Sequence, residues 1–459
     1  MSVMPLTDAV FLIAEAREHP MHVGGLHLYR PPEDAGPTHV ADLYRTALEH
    51  GDIRRRLRRR PVRPLGGVGV WRWQDDADLD LEYHVRHSAL PHPGRIRELL
   101  ALVSRLHGTL LDRTRPLWEA HLIEGLADGR FATYTKIHHA MMDGVAAMRL
   151  LEQSLSTDPD ERDMPPPLAE RPRPSSGRTR SSRGLLDVAG GIVSQAVEGA
   201  KGAVGAGEEA LRSLGRSFVD EAATFPFRAP PSMFNVPITG ARRFAAESWP
   251  LERLRHVGKG LGGTLNDVVL AMSAGALRRY MDDLNALPED PLVAMVPVSL
   301  RGEDDDDDGG NRVGLILCNL GTHLADPLER FGLIHESAQQ GKLQLEGLNQ
   351  AGVLLLSAMS FAPLSLGPLF RFEALRRPPF NIVISNVPGP RQPLYWNGAE
   401  LDGVYPASIP IDGQALNITC TSWADRIGFG LTGCRRSVPS LQRLLEHLET
   451  SLVELEDVA

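Results

Sequence analysis

The sequence predicts a mixed α/β fold in which two sheets are covered by helices. Short runs of β-branched and aromatic residues alternate with longer segments whose apolar residues repeat at helical spacing. The same alternation occurs on both sides of a central segment rich in Pro, Arg and Ser. A chain of 459 residues has room for two or three domains. We therefore expect an N-terminal domain at 1–156, a linker at 157–237 and a C-terminal domain at 238–459.

The N-terminal half begins with a predicted helix and ends with a predicted hairpin that is followed by a helix. Helices are predicted at 6–17, 40–50 and 94–111, and strands at 26–29, 71–73, 120–123 and 131–137. Trp71 and Trp73 alternate as in an edge strand. Residues 125–129 contain the glycines of the hairpin turn. Apolar residues repeat at helical spacing after Asp143, which predicts a helix start there.

The second half follows a break in composition. Residues 157–184 contain few apolar side chains and predict an exposed segment, whereas residues 185–218 predict one or two connecting helices. Helices are then predicted at 251–260, 264–280, 327–345 and 437–455, and strands at 292–298, 313–320, 380–385, 416–422 and 427–431. The acidic run at 303–308 lacks a glutamate at the spacing of a calcium loop and is interpreted as a solvated loop.

Bulk properties exclude several classes of protein. A formal net charge of -9 and a pI near 6.0 argue against nucleic acid as a partner, which needs a basic face. Three cysteines without a CxxC pair favour a reducing compartment and no disulfide framework. Asp8 and Glu15 interrupt the first apolar run, so it does not resemble a signal peptide. We expect a cytoplasmic protein.

Two further segments are open to more than one interpretation. Residues 351–370 carry no charge over about a membrane-spanning length, but prolines and glycines interrupt them. They predict a buried helix plus loop or the wall of a hydrophobic tunnel, with a surface that dips into a membrane as the alternative. Residues 54–60 (RRRLRRR) are either a solvated edge or a landing site for phosphates or anionic lipid.

The segment from His138 to Gly144 (HHAMMDG) carries the main candidates for chemistry. Two histidines lie where a predicted buried strand ends and a loop leads into a helix, a common place for catalytic groups. Adjacent strand residues point to opposite faces, so at most one of them faces a substrate. We expect His139 to be a general base and Asp143 to shape the loop. A metal site and a purely structural role for both histidines remain as alternatives.

Missing motifs and a second helix start narrow the chemistry. The chain has no Gly-x-Ser-x-Gly elbow, no Walker loop and no GxGxxG that opens a βαβ unit. A hydrolase serine and NTP or NAD chemistry are therefore not expected. Thr264 and Asp267 have the spacing of a helix cap, and Asn266 lies between them at the positive helix end. Its amide has the chemistry to stabilise an oxyanion or bind a carbonyl.

These residues carry a resemblance to known acyltransferases. The HHxxxDG pattern resembles the signature of coenzyme A-dependent acyltransferases, the group of chloramphenicol acetyltransferase and the peptide-synthetase condensation domains. Further motifs resemble the bacterial wax ester synthase/diacylglycerol acyltransferase (WS/DGAT) family, with marine-bacterial wax ester synthases closest. They are PMHVG at 20–24, PLWE at 116–119, NDVV at 266–269, PVSLR at 297–301 and ISNVPGP at 384–390. The linker at 157–218 resembles the family least.

The resemblance implies a fold and an activity. It implies two chloramphenicol acetyltransferase-like domains joined by a helical linker, with the active site in a tunnel at their interface. A long-chain acyl group would pass from acyl-CoA, a co-substrate, to a fatty alcohol or to diacylglycerol in a ternary complex, without cofactor or metal. Residues 351–370 would then form a tunnel wall, and the arginines at 54–60 would meet CoA phosphates or a lipid-droplet surface.

It also implies roles for individual residues. His139 would be the general base, while His138 and Asp143 would hold the loop and its ring. Gly144 would allow a tight backbone turn. Asn266 would position the oxyanion or substrate, Asp267 would be structural, and PLWE would be architectural.

Alternatives to this activity remain. One is a carrier-dependent acyltransferase or condensation enzyme of the same fold. Another is a non-catalytic lipid-binding protein built on that fold. Peripheral contact with the inner membrane or lipid droplets is expected as well.

Overall fold

The computed structural model describes residues 1–63, 69–170, 229–299, 313–346 and 377–459. The expectations for residues 185–218, 303–308 and 351–370 lie outside these ranges. The helical part of the linker and the tunnel wall therefore stay predictions.

The N-terminal half forms five helices, seven strands and a 3₁₀ turn within the described residues. The helices are α1 (Leu6–Ala14), α2 (His39–Glu49), α3 (Leu81–His84), α4 (Ile96–His107) and α5 (Gly144–Ser154). The strands are β1 (Ser2–Val3), β2 (His22–Arg30), β3 (Arg59–Val62), β4 (Arg72–Asp75), β5 (Val85–Ala89), β6 (Trp118–Glu124) and β7 (Phe131–His138). The 3₁₀ turn spans Arg55–Arg58.

The second half forms four helices and eight strands within the described residues. The helices are α6 (Leu251–Gly260), α7 (Leu265–Asp283), α8 (Pro327–Glu346) and α9 (Arg443–Asp457). The strands are β8 (Arg242–Pro250), β9 (Val293–Ser299), β10 (Val313–Asn319), β11 (Ile382–Val387), β12 (Tyr395–Trp396), β13 (Ala399–Ala407), β14 (Leu416–Trp423) and β15 (Arg426–Cys434).

The first sheet has the strand order β12-β13-β2-β7-β6-β5. Strand β7 lies inside it, antiparallel to β2 on one side and to β6 on the other. Most β7 residues are buried, as expected for a strand whose faces are both covered. The predicted hairpin of β6 and β7 is confirmed. Because His22 pairs with His138 across the β2–β7 ladder, the end of β7 lies at a fixed position inside the sheet.

The second sheet has the order β10-β9-β11-β14-β15-β8 and carries its own core. Helix α7 packs against this sheet and against α9 with an almost wholly buried set of residues. A cap at its start stops it from fraying. The Thr264 hydroxyl accepts from the Asp267 N–H, and the Asp267 carboxylate accepts from the Thr264 N–H, which completes the predicted capping box.

The predicted C-terminal domain at 238–459 does not account for the position of β12 and β13. Both come from that part of the chain, yet they extend the first sheet, where β13 is antiparallel to β2. The physical reason is the open hydrogen-bonding edge of β2, which β13 fills. The first sheet is therefore built from both halves of the chain.

A third, small sheet has the order β1-β4-β3. The sequence pattern of Trp71 and Trp73 predicted an edge strand, but β4 lies in the middle because Ser2 pairs with Trp73 from the other side. Strand β3 continues directly from the arginine-rich 3₁₀ turn, so this small sheet holds that turn against the first domain.

The two large sheets contact each other closely where β13 crosses β15. A Cβ atom at Gly428 would lie 2.2 Å from the Val404 carbonyl oxygen, and one at Gly430 would lie 1.8 Å from that of Pro406. A side chain at either position would therefore clash with backbone. A second link is the hydrogen bond from the Phe244 N–H in β8 to the Ser104 hydroxyl in α4, 2.8 Å long.

Candidate active site

The backbone of the histidine loop is fixed from two directions. The His138 N–H donates to the Leu117 carbonyl at 2.9 Å, and the His139 N–H donates to the Met21 carbonyl at 2.8 Å. The His138 carbonyl in turn accepts from the Met141 N–H at 2.8 Å, which closes a turn directly after β7. The PMHVG and PLWE segments thus act as neighbours that hold the loop, which agrees with an architectural role for PLWE.

The ring of His138 is fully buried, and contacts at both nitrogens hold it. Its Nδ1 accepts from the Ala140 N–H at 3.1 Å. The proton therefore lies on Nε2, which is 3.3 Å from Oε1 of Glu15 but not aligned for a regular hydrogen bond. His138 thus contacts the protein through both nitrogens and has no exposed surface, which favours a structural role in the loop.

Glu15 and Arg113 are site residues that the sequence interpretation missed. Glu15 is the C-cap residue of α1, and its side chain is only 2% exposed. Its Oε1 accepts from the Met21 N–H at 3.1 Å, and its Oε2 accepts from Arg113 Nε at 2.9 Å. Burial raises the pKa of Glu15, but the contacts with His138, the Met21 N–H and Arg113 outweigh it and leave the pKa below its ordinary value. The sequence does contain a signal for Glu15, because a carboxylate within an apolar helical run is unusual.

The ring of His139 differs from that of His138 in what its nitrogens contact. It stacks on Phe11, with ring centroids 4.4 Å apart and an interplanar angle of 9°. Its Nδ1 is enclosed and has no hydrogen-bond partner among the described residues, although the residue as a whole is only partly buried. Burial lowers the pKa of His139, and the charge of Asp143 offsets only part of that effect. His139 is therefore neutral at neutral pH and free to accept a proton.

Asp143 and Gly144 form the start of α5. Oδ1 of Asp143 accepts from the Ala146 N–H at 2.7 Å and caps the helix. Asp143 acts on His139 through its charge, since no hydrogen bond joins the two side chains in the described structure. The expected tight turn at Gly144 is wrong. Gly144 is the exposed first residue of α5 without a positive φ, and a Cβ there would meet nothing within 4 Å.

The second candidate region, at the start of α7, is separate from the histidine loop. The side-chain amide of Asn266 is partly buried and makes no hydrogen bond within the described ranges. Oδ2 of Asp267 accepts from the Thr264 N–H at 2.8 Å and also bonds to His335 Nδ1 at 2.9 Å. No hydrogen bond, ion pair or ring contact of the described residues joins Asn266 or Asp267 to His139.

A cavity of about 520 Å³ adjoins the histidine loop. Its lining includes Ala140 and Met141, which follow His139 directly, and two arginines of the 3₁₀ turn, Arg55 and Arg56. Such a volume is typical of small-molecule sites. The described residues contain no group of three or more His, Cys, Asp or Glu side chains arranged to hold a metal ion.

The PLWE segment is anchored by buried polar contacts on both of its last residues. The Trp118 indole N–H donates to the Leu57 carbonyl at 2.7 Å. The Glu119 carboxylate lies 3.3 Å from the buried Lys136 ammonium on β7. Leaving either charge unpaired in the core would be costly, so the pair fixes the two strands relative to each other.

Two sheets covered by helices, with a histidine at the end of an inner strand, define a condensation-domain type of acyltransferase fold. The first condensation domain of the CDA synthetase matches with a TM-score of 0.57 and 15% identity, over 99% of this chain and 95% of that one. That likeness shows the fold alone. It confirms the predicted fold class.

Sequence relationships show the family. Residues 4–269 match the model of the wax ester synthase/diacylglycerol acyltransferase catalytic domain, and residues 309–456 match that of the WS/DGAT C-terminal domain. The chain belongs to this family and is an O-acyltransferase, as the sequence motifs predicted.

Individual relatives cover the whole chain. A probable diacylglycerol O-acyltransferase of Mycobacterium tuberculosis is 50% identical over 99% of both chains. The O-acyltransferase WSD of Acinetobacter baylyi is 45% identical over 98% of this chain and 96% of its own. The structure of the wax ester synthase/diacylglycerol acyltransferase from Marinobacter aquaeolei matches with a TM-score of 0.80 and 42% identity over 99% of both chains. The likeness to marine-bacterial synthases is thus one of several at this level.

None of the helices in the described ranges is long and apolar enough to cross a membrane. Contact with a membrane surface or lipid droplet stays a prediction.

Proposed function

We propose that the chain transfers a long-chain acyl group from acyl-CoA to a fatty alcohol, giving a wax ester, and to diacylglycerol, giving triacylglycerol. Its relatives bear the names of diacylglycerol O-acyltransferases and of a wax ester synthase, which supports both acceptor classes. The observation that carries the mechanism is the contrast between the two histidine rings. His138 is fully buried with a contact at each nitrogen, whereas His139 is only partly buried and directly precedes two residues that line the cavity.

In the proposed reaction His139 acts as the general base. Its Nε2 takes the proton from the acceptor hydroxyl while that oxygen attacks the thioester carbonyl carbon. As the carbon–oxygen bond forms, the carbon–sulfur bond breaks, and the proton passes from His139 to the departing thiolate. The products are the ester and free CoA, and no acyl-enzyme or further cofactor is involved.

Other residues support this base in different ways. Stacking on Phe11 restricts the His139 ring to one plane, which reduces the entropy lost on reaching the reactive geometry. Asp143 would stabilise the imidazolium by charge, since it acts on His139 across space. Asn266 is retained as a proposed donor to the oxyanion or substrate, because its amide has no other partner among described residues and lies at a positive helix end.

The decisive experiment measures CoA release from palmitoyl-CoA with hexadecanol and with dipalmitoylglycerol as acceptors. His139→Ala is expected to lower kcat by about 10²–10⁴-fold, the usual contribution of a general base. It should lower the melting temperature only modestly, because the His139 ring is partly buried and its described ring contact is the stacking on Phe11. His138→Ala is the matched control and should leave more activity while lowering the melting temperature.

Three results would contradict the proposal. Full activity in His139→Ala would reject the base. If the wild-type protein releases no CoA with either acceptor but transfers an acyl group from an acyl carrier protein, the carrier-dependent enzyme is favoured. Binding of palmitoyl-CoA without any turnover would favour the lipid-binding alternative.

A further inference from the structure

We propose that Arg55 and Arg56 form a binding site for the phosphate groups of the acyl-CoA donor, beside the histidine loop. This inference rests on the proposed function, because it assigns the part of the donor that does not react. It concerns a surface that the general-base mechanism does not use.

The turn that carries these arginines is rigid. Leu57 inside it is fully buried, and its carbonyl accepts from the Trp118 indole N–H at 2.7 Å. Just before the turn, the Arg54 N–H donates to the Leu168 carbonyl at 3.3 Å, and Ile53 forms a β-bridge with Ala169. With Leu57 held in the core, the neighbouring side chains of Arg55 and Arg56 are directed towards solvent and are exposed.

The same short motif holds the arginine turn and the histidine loop. The Leu117 carbonyl accepts from the His138 N–H, while the next residue, Trp118, donates to Leu57. The buried start of β6 therefore sets the distance between the proposed base and the arginines. A site for the two ends of one ligand needs such a fixed spacing.

The cavity of about 520 Å³ joins the two elements. Arg55, Arg56 and Arg59 lie on its wall together with Asp8, and Ala140 and Met141 lie on the side of the histidine loop. A ligand in this cavity would therefore touch both the arginine turn and the residues directly after His139.

The charges of this wall are only partly neutralised. Arg59 is 3.1 Å from Asp75 and is thereby paired. Arg55 and Arg56, in contrast, make no hydrogen bond or ion pair within the part of the chain that the structure describes. Arg55 and Arg56 are adjacent cations on the wall of the cavity, and a bound anion would reduce the repulsion between them.

Phosphate is the anion that fits these groups. A guanidinium binds phosphate oxygens through two parallel N–H bonds and keeps its charge at every relevant pH. The nucleotide end of CoA carries several phosphates, whereas the acyl chain and the acceptors proposed above carry none. The arginines would then contribute to donor affinity and not to the chemical step.

The test compares two thioester donors in two double variants. In Arg55→Ala/Arg56→Ala, KM for palmitoyl-CoA is expected to rise by about 10-fold at low ionic strength, from the loss of charge-assisted phosphate contacts. The KM for palmitoyl-pantetheine, which lacks the nucleotide phosphates, should not change. The control is Arg435→Ala/Arg436→Ala, which removes two adjacent exposed arginines after β15 and should leave both KM values as in the wild-type protein. Calorimetric titration with CoA alone measures the same loss without turnover.

Several outcomes would overturn the proposal. An unchanged KM for palmitoyl-CoA would do so, and so would an equal rise with both donors or in both double variants. If KM is unchanged but the Arg55/Arg56 variant no longer floats with phosphatidylglycerol vesicles, the arginines bind lipid headgroups and not the donor. If the wild-type protein turns over neither donor, the proposed function fails, while the calorimetric titration still decides the phosphate site.

Discussion

The starts of α5 and α7 look alike in sequence but differ in structure. Both carry a motif with an aspartate near the helix N-terminus, Asp143 in one and Asp267 in the other. At α7 the carboxylate of Asp267 is 2% exposed and bonds to Thr264 and His335. At α5 Asp143 caps the helix through one oxygen, and the nearby His139 is partly buried with an Nδ1 that has no hydrogen-bond partner among the described residues.

Within each motif, the hydrogen bonds that a polar group makes distinguish a structural role from a chemical one. A polar group whose hydrogen bonds are all made inside the protein stabilises the fold and has little capacity left for a substrate. A partly buried group without a partner is destabilising unless a ligand completes it. On that criterion Asp267 is structural and His139 is a candidate for catalysis. His138 is separated from His139 by its complete burial, with Nε2 against Glu15.

The largest stability effect is expected at Asp267. Asp267→Ala removes both the cap of α7 and its bond to His335, which should cost about 2–4 kcal/mol of unfolding free energy. Thermal denaturation measures this loss. Activity per folded molecule, measured well below the melting temperature, should stay near the wild-type value. A wild-type melting temperature with lost activity would place Asp267 in the chemistry and contradict its structural role.

A smaller effect is expected at Glu15. Glu15→Gln keeps an oxygen for the Met21 N–H but removes the charge that faces His138 and Arg113. It should cost about 1–3 kcal/mol and lower kcat more than it changes KM, because the loop beside His139 loses a support. Chemical denaturation and CoA release measure the two effects.

The pH dependence of stability provides the control for Glu15. Its folded-state pKa is lowered, so its ionised form stabilises the protein above the ordinary carboxyl pKa of about 4.5. That contribution is lost as the pH falls through the lower folded-state value. Glu15→Gln should therefore lose less stability than the wild-type protein on acidification below about pH 4.5. Parallel curves for the two proteins would contradict the assignment.

The smallest effect is expected at Gly144. Its backbone does not need glycine and a Cβ fits without contact, so Gly144→Ala should change stability by less than about 1 kcal/mol. CoA release should stay within about twofold of the wild-type rate, as measured with palmitoyl-CoA and hexadecanol. A large loss of activity at an unchanged melting temperature would show that substrate occupies the open space beside its Cα.

Local patterns predicted most of the fold. Helix α6 spans Leu251–Gly260 as predicted, and β7 and the cap of α7 were also predicted, because their signals lie within a few residues of one another. Strand β13 was missed because Gly403 and Pro406 interrupt its pattern, and its place is set by the free edge of β2.

Within the site, the sequence indicated the histidine loop but not what supports it. The contact between Glu15 and Arg113 joins residues 98 positions apart. No local pattern encodes such a pair, and it arises only when α1 packs beside the start of β6. The interpretation of Gly144 was wrong for a related reason, since a glycine after a motif does not reveal its backbone angle.

The pairing of β13 with β2 has a consequence for folding during synthesis. The ladder of β2, formed by residues 22–30, stays incomplete until residue 407 has left the ribosome. Pairing over such a separation is slow, and the waiting strand exposes an edge that other chains can join. The catalytic-domain match at 4–269 ends before β13, so a fragment cut there lacks a strand of its own sheet. The nascent first half therefore depends on the second for protection from aggregation.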